Sequence, residues 1–174
     1  MMLATAMTVS LMLLTLPAWG QGAAPDIPPV LNPPEGTKLV LVADAKGDQI
    51  YACKEQSGQY SWTLKAPEAQ LFDKQGKVLG RHFAGPSWEL KDGSAVTGQK
   101  IASADPHDKE AIPWLLLAVA SRSGSGKLTN VTHIQRLNTK GGKAPPSGCD
   151  VSSGGKEVRS TYSATYLFYE SKEK

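Results

Sequence analysis

The nine residues 80–88 hold the residue types best suited to chemistry in this chain of 174 residues. They place the guanidinium of Arg81 and the imidazole of His82 before a bend at Gly85–Pro86, and the indole of Trp88 shortly after it. Glycine at a bend lets another group approach the backbone closely. We therefore predict a small polar pocket with Arg81 and His82 at its rim and Trp88 as one wall. The alternative is a strand end at which His82 is hydrogen-bonded and Trp88 belongs to the core.

Two further ring-bearing residues are candidates for the same kind of site. His133 lies on a strand predicted over 130–138 and shares a face with Gln135, which fits either a cavity wall or a half-exposed sheet edge. In the segment 60–65, large and polar residues alternate, and this period of two predicts that three side chains point inward together: Tyr60, Trp62 and Leu64. The candidate ligand-binding residues are therefore Trp62, Arg81, His82, Trp88 and His133.

The sequence lacks the complete signatures of the common enzyme classes. In a phosphate-loop alignment, Ser121 stands where glycine is required and Leu128 stands where serine or threonine is required. No G-x-G-x-x-G motif follows a predicted strand, so a nicotinamide cofactor has no predicted cradle. No second cysteine or histidine lies within a few positions of Cys53 or Cys149, as zinc motifs require. We predict no cofactor and no metal, and a nicotinamide-dependent dehydrogenase is disfavoured.

Residues 1–20 predict export. They carry no charged side chain, and their apolar stretch 9–16 is too short to span a bilayer, which is typical of a signal peptide. Small residues precede Gln21, as at a cleavage site, although the first residues lack Lys and Arg. In an exported chain, one pair of cysteines is most simply a disulfide, here between Cys53 and Cys149. Two free buried thiols are the alternative. The predicted location is secreted or periplasmic.

The remaining sequence predicts one domain after a short arm. Residues 21–36 are rich in proline and predict an extended arm, and residues 37–174 predict a single β-rich domain. The formal net charge is +3 with acidic and basic residues interspersed, so no nucleic-acid surface is predicted. No later apolar run reaches the length of a transmembrane helix.

Turn signals at short spacing predict a mainly β fold. Segments 38–43 and 49–54 are predicted strands on either side of a turn at Asp44–Gly47, and the pair Asp92–Gly93 predicts a hairpin. About nine strands result, arranged as an antiparallel sandwich or a flattened barrel. One short helix is predicted over 113–121, because Pro113 suits a first helical position and three leucines follow it. A buried strand is the alternative there.

Several motifs, in order along the chain, resemble a secreted family known from bacteria and fungi. They include segments 47–53 (GDQIYAC), 66–69 (APEA), 85–88 (GPSW), 112–117 (IPWLLL), 134–139 (IQRLNT) and 162–166 (YSATY). Over about residues 28–169 the chain is similar to domain-of-unknown-function family 3455. The resemblance implies export and a paired cysteine pattern, and it implies no established activity. Some members are loosely labelled malate dehydrogenase, a label that the missing dinucleotide motif does not support.

We expect a binding or interaction module that acts outside the cytoplasm on a small molecule or an envelope component. A secreted hydrolase is the alternative, and it would use His82 or His133 together with a carboxylate. A purely structural protein is a third possibility, which would lack a cavity larger than about 300 Å³.

Overall fold

The strands form one antiparallel sheet that closes into a barrel. A computed structural model describes residues 26–172, so the predicted signal peptide at 1–20 lies outside the described residues. Each strand pairs with the next one along the chain, and the last pairs with the first. The strands are β1 (Thr37–Gln56), β2 (Gln59–Phe72), β3 (Val78–Phe83), β4 (Ser87–Leu90), β5 (Ala95–Ala104), β6 (Trp114–Ser123), β7 (Val131–Gly141) and β8 (Glu157–Ser171). The predicted mainly β class is confirmed, with eight strands where about nine were expected.

The turn predicted at Asp44–Gly47 is wrong, because β1 runs through it without interruption. Gly47 faces Ala69 across the β1–β2 ladder, and a Cβ atom added to Gly47 would lie 2.1 Å from the carbonyl oxygen of Glu68. The glycine therefore serves a close approach of two strands and does not mark a chain reversal. Joining these two predicted strands into β1 removes one strand from the expected count.

The helix predicted over 113–121 is also wrong, because this segment forms β6. The apolar run is continuous because both faces of β6 are covered. Leu115 and Leu117 pack toward the barrel interior, whereas Trp114 and Leu116 belong to a second cluster on the outer face. A strand that is buried on both faces has the same composition as a short buried helix. The only helices among residues 26–172 are the 3-10 turns Pro29–Leu31 and Val151–Ser153.

The N-terminal segment covers part of the outer face of the barrel. Leu31 is fully buried against Trp114, Leu116 and Leu137, and its carbonyl oxygen accepts a 2.6 Å hydrogen bond from Gln135 Nε2. This docking gives β6 and β7 an apolar cover outside the barrel as well as a core inside it.

Leu128 closes one end of the barrel, where the β2–β3, β4–β5 and β6–β7 loops lie. Its side chain is fully buried in the interior cluster, and its amide donates to the Ser94 hydroxyl at 3.1 Å. Asp92 accepts hydrogen bonds from the Ser94 hydroxyl and the Lys127 amide, at 2.6 and 2.8 Å. These hydrogen bonds lower the pKa of Asp92 from its ordinary value. The end of the barrel that carries Leu128 is therefore capped.

The opposite end of the barrel carries the cysteine pair. Cys53, near the end of β1, and Cys149, in the β7–β8 loop, lie at disulfide distance with Cα atoms 5.3 Å apart, as the sequence prediction requires. Trp62 is the cross-strand partner of Cys53, and its Nε1 donates to the carbonyl oxygen of Ser147 at 2.9 Å. Both contacts hold the long β7–β8 loop against the barrel.

Within residues 26–172, no helix has the length and apolar content required to cross a bilayer.

Candidate functional site

A cavity of about 320 Å³ lies inside the barrel, toward the end that carries the cysteine pair. This volume equals roughly ten water molecules at about 30 Å³ each, which is the lower end of the range for small-molecule sites. Its apolar wall is formed by Leu64, Ala66, Pro67, Pro86, Leu115 and Leu117. Gly85 lies beside this wall, and the polar or aromatic side chains around it are Gln49, Lys65, His82, Trp88, Arg136 and Tyr166. Leu64 is 51% exposed and marks the opening of the cavity.

The register of the sheet explains which side chains meet in the cavity. His82 on β3 lies directly opposite Trp88 on β4, and Arg136 on β7 lies opposite Tyr166 on β8. Directly opposed residues point to the same side of a sheet. Closure of the sheet then brings the β3–β4 pair against the β7–β8 pair, and the His82 and Tyr166 ring centroids are 5.1 Å apart.

His82 is a buried, neutral imidazole. Its ring stacks on Trp88 with centroids 4.4 Å apart, and its Nδ1 lies 2.8 Å from the carbonyl oxygen of Ser87. Because a carbonyl can only accept, Nδ1 carries the proton and Nε2 is left as an acceptor. Burial, with a smaller contribution from the charge of Arg136, lowers the pKa of His82 to about 3 despite the opposing hydrogen bond to Ser87. His82 is therefore uncharged at neutral pH.

Arg136 supplies a positive charge to the cavity. Its Nε and Nη2 atoms donate to the carbonyl oxygen of Pro113 at 3.1 and 2.8 Å. A guanidinium has five N–H groups, so three remain for other partners. Among residues 26–172, no carboxylate lies within ion-pair distance of Arg136. Burial dominates the pKa of four groups near this charge, raising it for Tyr51, Tyr162 and Tyr166 and lowering it for His82, and the charge of Arg136 makes a smaller, lowering contribution to each.

Several buried polar atoms beside the cavity have no hydrogen-bond partner within the described part of the chain. They are Gln49 Nε2, Trp88 Nε1 and the Tyr166 hydroxyl, together with the Tyr162 hydroxyl, which does not line the cavity. The two tyrosine hydroxyls lie near each other without good hydrogen-bond geometry. Burial raises the pKa of both tyrosines, so they remain neutral donors. An unpaired buried polar group costs about 1–3 kcal/mol, and most proteins avoid it. Three such groups around one cavity therefore mark a site prepared for hydrogen bonding. One further unpaired atom, Trp114 Nε1, belongs to the outer cluster.

The structure places two of the five predicted site residues, His82 and Trp88, in the cavity wall. The Arg81 side chain points away from the cavity, because neighbouring residues of a strand point to opposite faces and His82 points inward. It pairs with Glu89 at 2.7 Å and lies over the Phe83 ring at 4.8 Å on the outer surface. Trp62 contacts the β7–β8 loop as described above. Leu64, which the alternation predicts to point inward together with Tyr60 and Trp62, lines the cavity at its opening and lies opposite Tyr51 of β1.

His133 also lies outside the cavity. It precedes Ile134, which packs in the interior, so the His133 side chain faces the outer surface. Its Nδ1 lies 3.0 Å from the Thr132 hydroxyl, and burial lowers its pKa. Among residues 26–172, neither His82 nor His133 has a hydrogen bond or ion pair to a carboxylate. The same residues contain no group of three side chains that could hold a metal ion.

Sequence reasoning missed three residues that define the polar part of the cavity: Gln49, Arg136 and Tyr166. Arg136 could have been identified from the sequence, because it occupies an inward position two residues after the apolar Ile134 on β7. A charged residue at an inward position of a strand is unusual and indicates a cavity. Gln49 gave a weaker signal, since the sequence places it at the start of a predicted strand after a turn that β1 does not contain.

Comparison with known proteins gives one family and no individual relative. A family model described as a protein of unknown function (DUF3455) matches residues 33–170. No curated protein and no solved structure matches the chain.

Proposed function

The chain belongs to the DUF3455 family, and we propose that it is an exported binding module whose barrel cavity takes up a small, partly apolar molecule. The observation that carries this proposal is the meeting of three unpaired, buried polar side chains in one cavity, namely Gln49, Trp88 and Tyr166. A ligand that hydrogen-bonds to them would remove an energetic cost that the free protein bears.

The shape of the site supports binding more than chemistry. Pockets for small molecules combine an apolar lining with a few placed polar groups, and this cavity has leucine and proline on one side and polar side chains on the other. His82 is held by the Ser87 carbonyl and stacked on Trp88, so it is a fixed wall of the cavity. Its depressed pKa makes it a poor general base near pH 7.

Export is supported by the cysteine pair as well as by the N-terminal sequence. Cys53 and Cys149 lie at disulfide distance, and disulfides persist in oxidising compartments outside the cytoplasm. We expect mass spectrometry of protein recovered from cell fractions to find the chain outside the cytoplasm, beginning near Gln21 and oxidised at both cysteines. Recovery of reduced, uncleaved chain from the cytoplasm would contradict the proposed location.

Binding is tested by titrating purified protein with a panel of sugars, cell-wall fragments and small organic acids, followed by thermal shift and calorimetry. Leu115→Trp places an indole in the cavity, because Leu115 packs inward and lines it, and Ala118→Trp places the same side chain on the outer face of β6. We expect a binder from the panel to lose at least tenfold in affinity with Leu115→Trp and to keep its affinity with Ala118→Trp. A binder whose affinity is the same in all three proteins lies elsewhere on the molecule, and a panel without any binder up to millimolar concentration would refute the function.

A further inference from the structure

We propose that the ligand of this cavity is a small carboxylic acid with an apolar body, and that Arg136 binds its carboxylate. This inference rests on the proposed binding function and names the chemical class of the ligand. It follows from three properties of the cavity: one uncompensated cation, several unpaired donors and an apolar wall.

The first property is the charge of Arg136. Its guanidinium is half-buried, both of its hydrogen bonds in good geometry go to the neutral Pro113 carbonyl, and the neutral Tyr166 hydroxyl lies beside it. A guanidinium has five N–H groups, so up to three remain for a ligand. A half-buried charge without a counter-ion is costly, and a carboxylate beside it removes that cost. Lys65 at the cavity opening is a different case, because Glu157 pairs with it. The cavity therefore holds one unpaired positive charge, which matches a ligand with one negative charge.

The second property is the set of donors around that charge. Gln49 Nε2 and Trp88 Nε1 are N–H donors, and the Tyr166 hydroxyl is close enough to Arg136 for their charges to interact. Gln49 Nε2 and Trp88 Nε1 have no hydrogen-bond partner among residues 26–172, and the Tyr166 hydroxyl has only loose contacts with Tyr162 and Arg136 that fall short of good hydrogen-bond geometry. Donors that surround a guanidinium favour an acceptor with several lone pairs, and a carboxylate offers about four acceptor sites on two oxygens.

The third property is the apolar wall, which includes Pro67, Leu115 and Leu117. It provides no further polar partner for a sugar ring, which carries hydroxyl groups on all sides. It also provides no second cation for a phosphate group, which carries close to two negative charges at pH 7. An apolar body that ends in one carboxylate satisfies both sides of the cavity.

The experiment compares acids with amides of the same shape. Calorimetry on the oxidised, signal-cleaved protein measures the binding of 3-phenylpropanoate against 3-phenylpropanamide, and of octanoate against octanamide, at pH 7. A charge-assisted hydrogen-bonded pair contributes about 1.5–3 kcal/mol, so we expect each acid to bind roughly tenfold to a hundredfold more tightly than its amide. Inorganic phosphate is the competing anion, and we expect it not to displace either acid at equal concentration.

Two arginine variants assign the effect to a residue. Arg136→Gln removes the charge, and we expect it to reduce acid binding to the level of the amide while leaving amide binding unchanged. Arg122→Gln is the matched control, because Arg122 makes the same pair of hydrogen bonds from Nε and Nη2 to one backbone carbonyl, that of Val131. It lies near the capped end of the barrel, and we expect its loss to leave acid binding unchanged. If Arg136→Gln does not fold, Arg136→Lys is used in its place. The ratio of acid affinity to amide affinity in the unsubstituted protein then still tests whether a carboxylate is recognised.

The outcomes separate this inference from the binding function. If the amides bind as tightly as the acids, or if Arg122→Gln weakens acid binding as much as Arg136→Gln does, recognition of a carboxylate is wrong while cavity binding stands. Displacement of the acids by phosphate would likewise overturn the choice of a carboxylate. If neither acids nor amides bind the unsubstituted protein at millimolar concentration, the inference fails, and the wider ligand panel with Leu115→Trp still decides the function.

Discussion

Acidification from pH 7 to pH 5 is expected to destabilise the protein through His82. The folded state keeps this imidazole neutral down to about pH 3, whereas in the unfolded chain it takes up a proton near its ordinary value of 6.5. Between these two values the unfolded state binds more protons than the folded state, so stability falls as the pH falls. Each pKa unit corresponds to about 1.4 kcal/mol, which gives a loss of about 2 kcal/mol between pH 7 and pH 5 and of about 3 kcal/mol by pH 4.

The surroundings of His82 contain no group that would cancel this effect. Trp88 and Tyr166 contact its ring, and the Ser87 carbonyl accepts a hydrogen bond from its Nδ1–H. Arg136 contributes a positive charge that opposes protonation. The pKa values of Asp92 and Asp150 are also lowered by their hydrogen bonds, but their stabilising effect is lost only as the pH falls through 3.8 and below. The window from pH 5 to pH 7 therefore reports on histidine.

Urea unfolding of the oxidised protein, followed by tryptophan fluorescence at pH 5, 6 and 7, measures the effect. His82→Asn keeps a donor for the Ser87 carbonyl and removes the titrating ring, so we expect its stability to change little across the window. His133→Asn controls for the other histidine whose pKa is lowered, and we expect this variant to retain most of the change in unfolding free energy with pH. A loss below about 0.5 kcal/mol in the unsubstituted protein, or an unchanged slope in His82→Asn, would refute the reasoning.

Three further predictions concern stability, each measured by denaturant unfolding. Replacing Cys53 and Cys149 with alanine should destabilise the chain by about 4–5 kcal/mol in the chain-entropy model, and a reduced protein that unfolds at the oxidised midpoint would contradict the bridge. Leu128→Ala should cost about 2–5 kcal/mol, whereas Ile101→Ala, at a side chain that is 53% exposed, should cost far less; equal losses would argue against the cap. Gly47→Ala should destabilise strongly because of its contact with β2, and a neutral effect would show that the strands can separate there.

The fold class could be predicted because its signals are local. Asp92–Gly93 is a turn whatever surrounds it, and alternating segments indicate half-buried strands without knowledge of their partners. The wrong predictions concern segments whose local structure depends on residues that are distant in the sequence. The helix predicted over 113–121 rested on Pro113 and the three leucines after it, and the same residues form a strand here because the barrel interior covers one face and Leu31 covers the other.

The site was predictable only in the part that is close in sequence. His82 and Trp88 are six positions apart and meet through one hairpin. Gln49, Arg136 and Tyr166 come from β1, β7 and β8, and they meet only because β8 returns to pair with β1. A rule based on neighbouring residues cannot find such a set, because their proximity is created by closure of the whole ring.

The pairing of β1 with β8 also sets the orientation in which the protein can be attached to a solid support. Lys172 donates from its amide to the carbonyl oxygen of Gly36 at 2.7 Å, beside the end that Leu128 caps. The cavity opens toward the other end, near the cysteine pair. A C-terminal tether to a sensor chip would therefore hold the protein with its ligand entrance facing the bulk solution, so immobilised binding measurements should match those made free in solution.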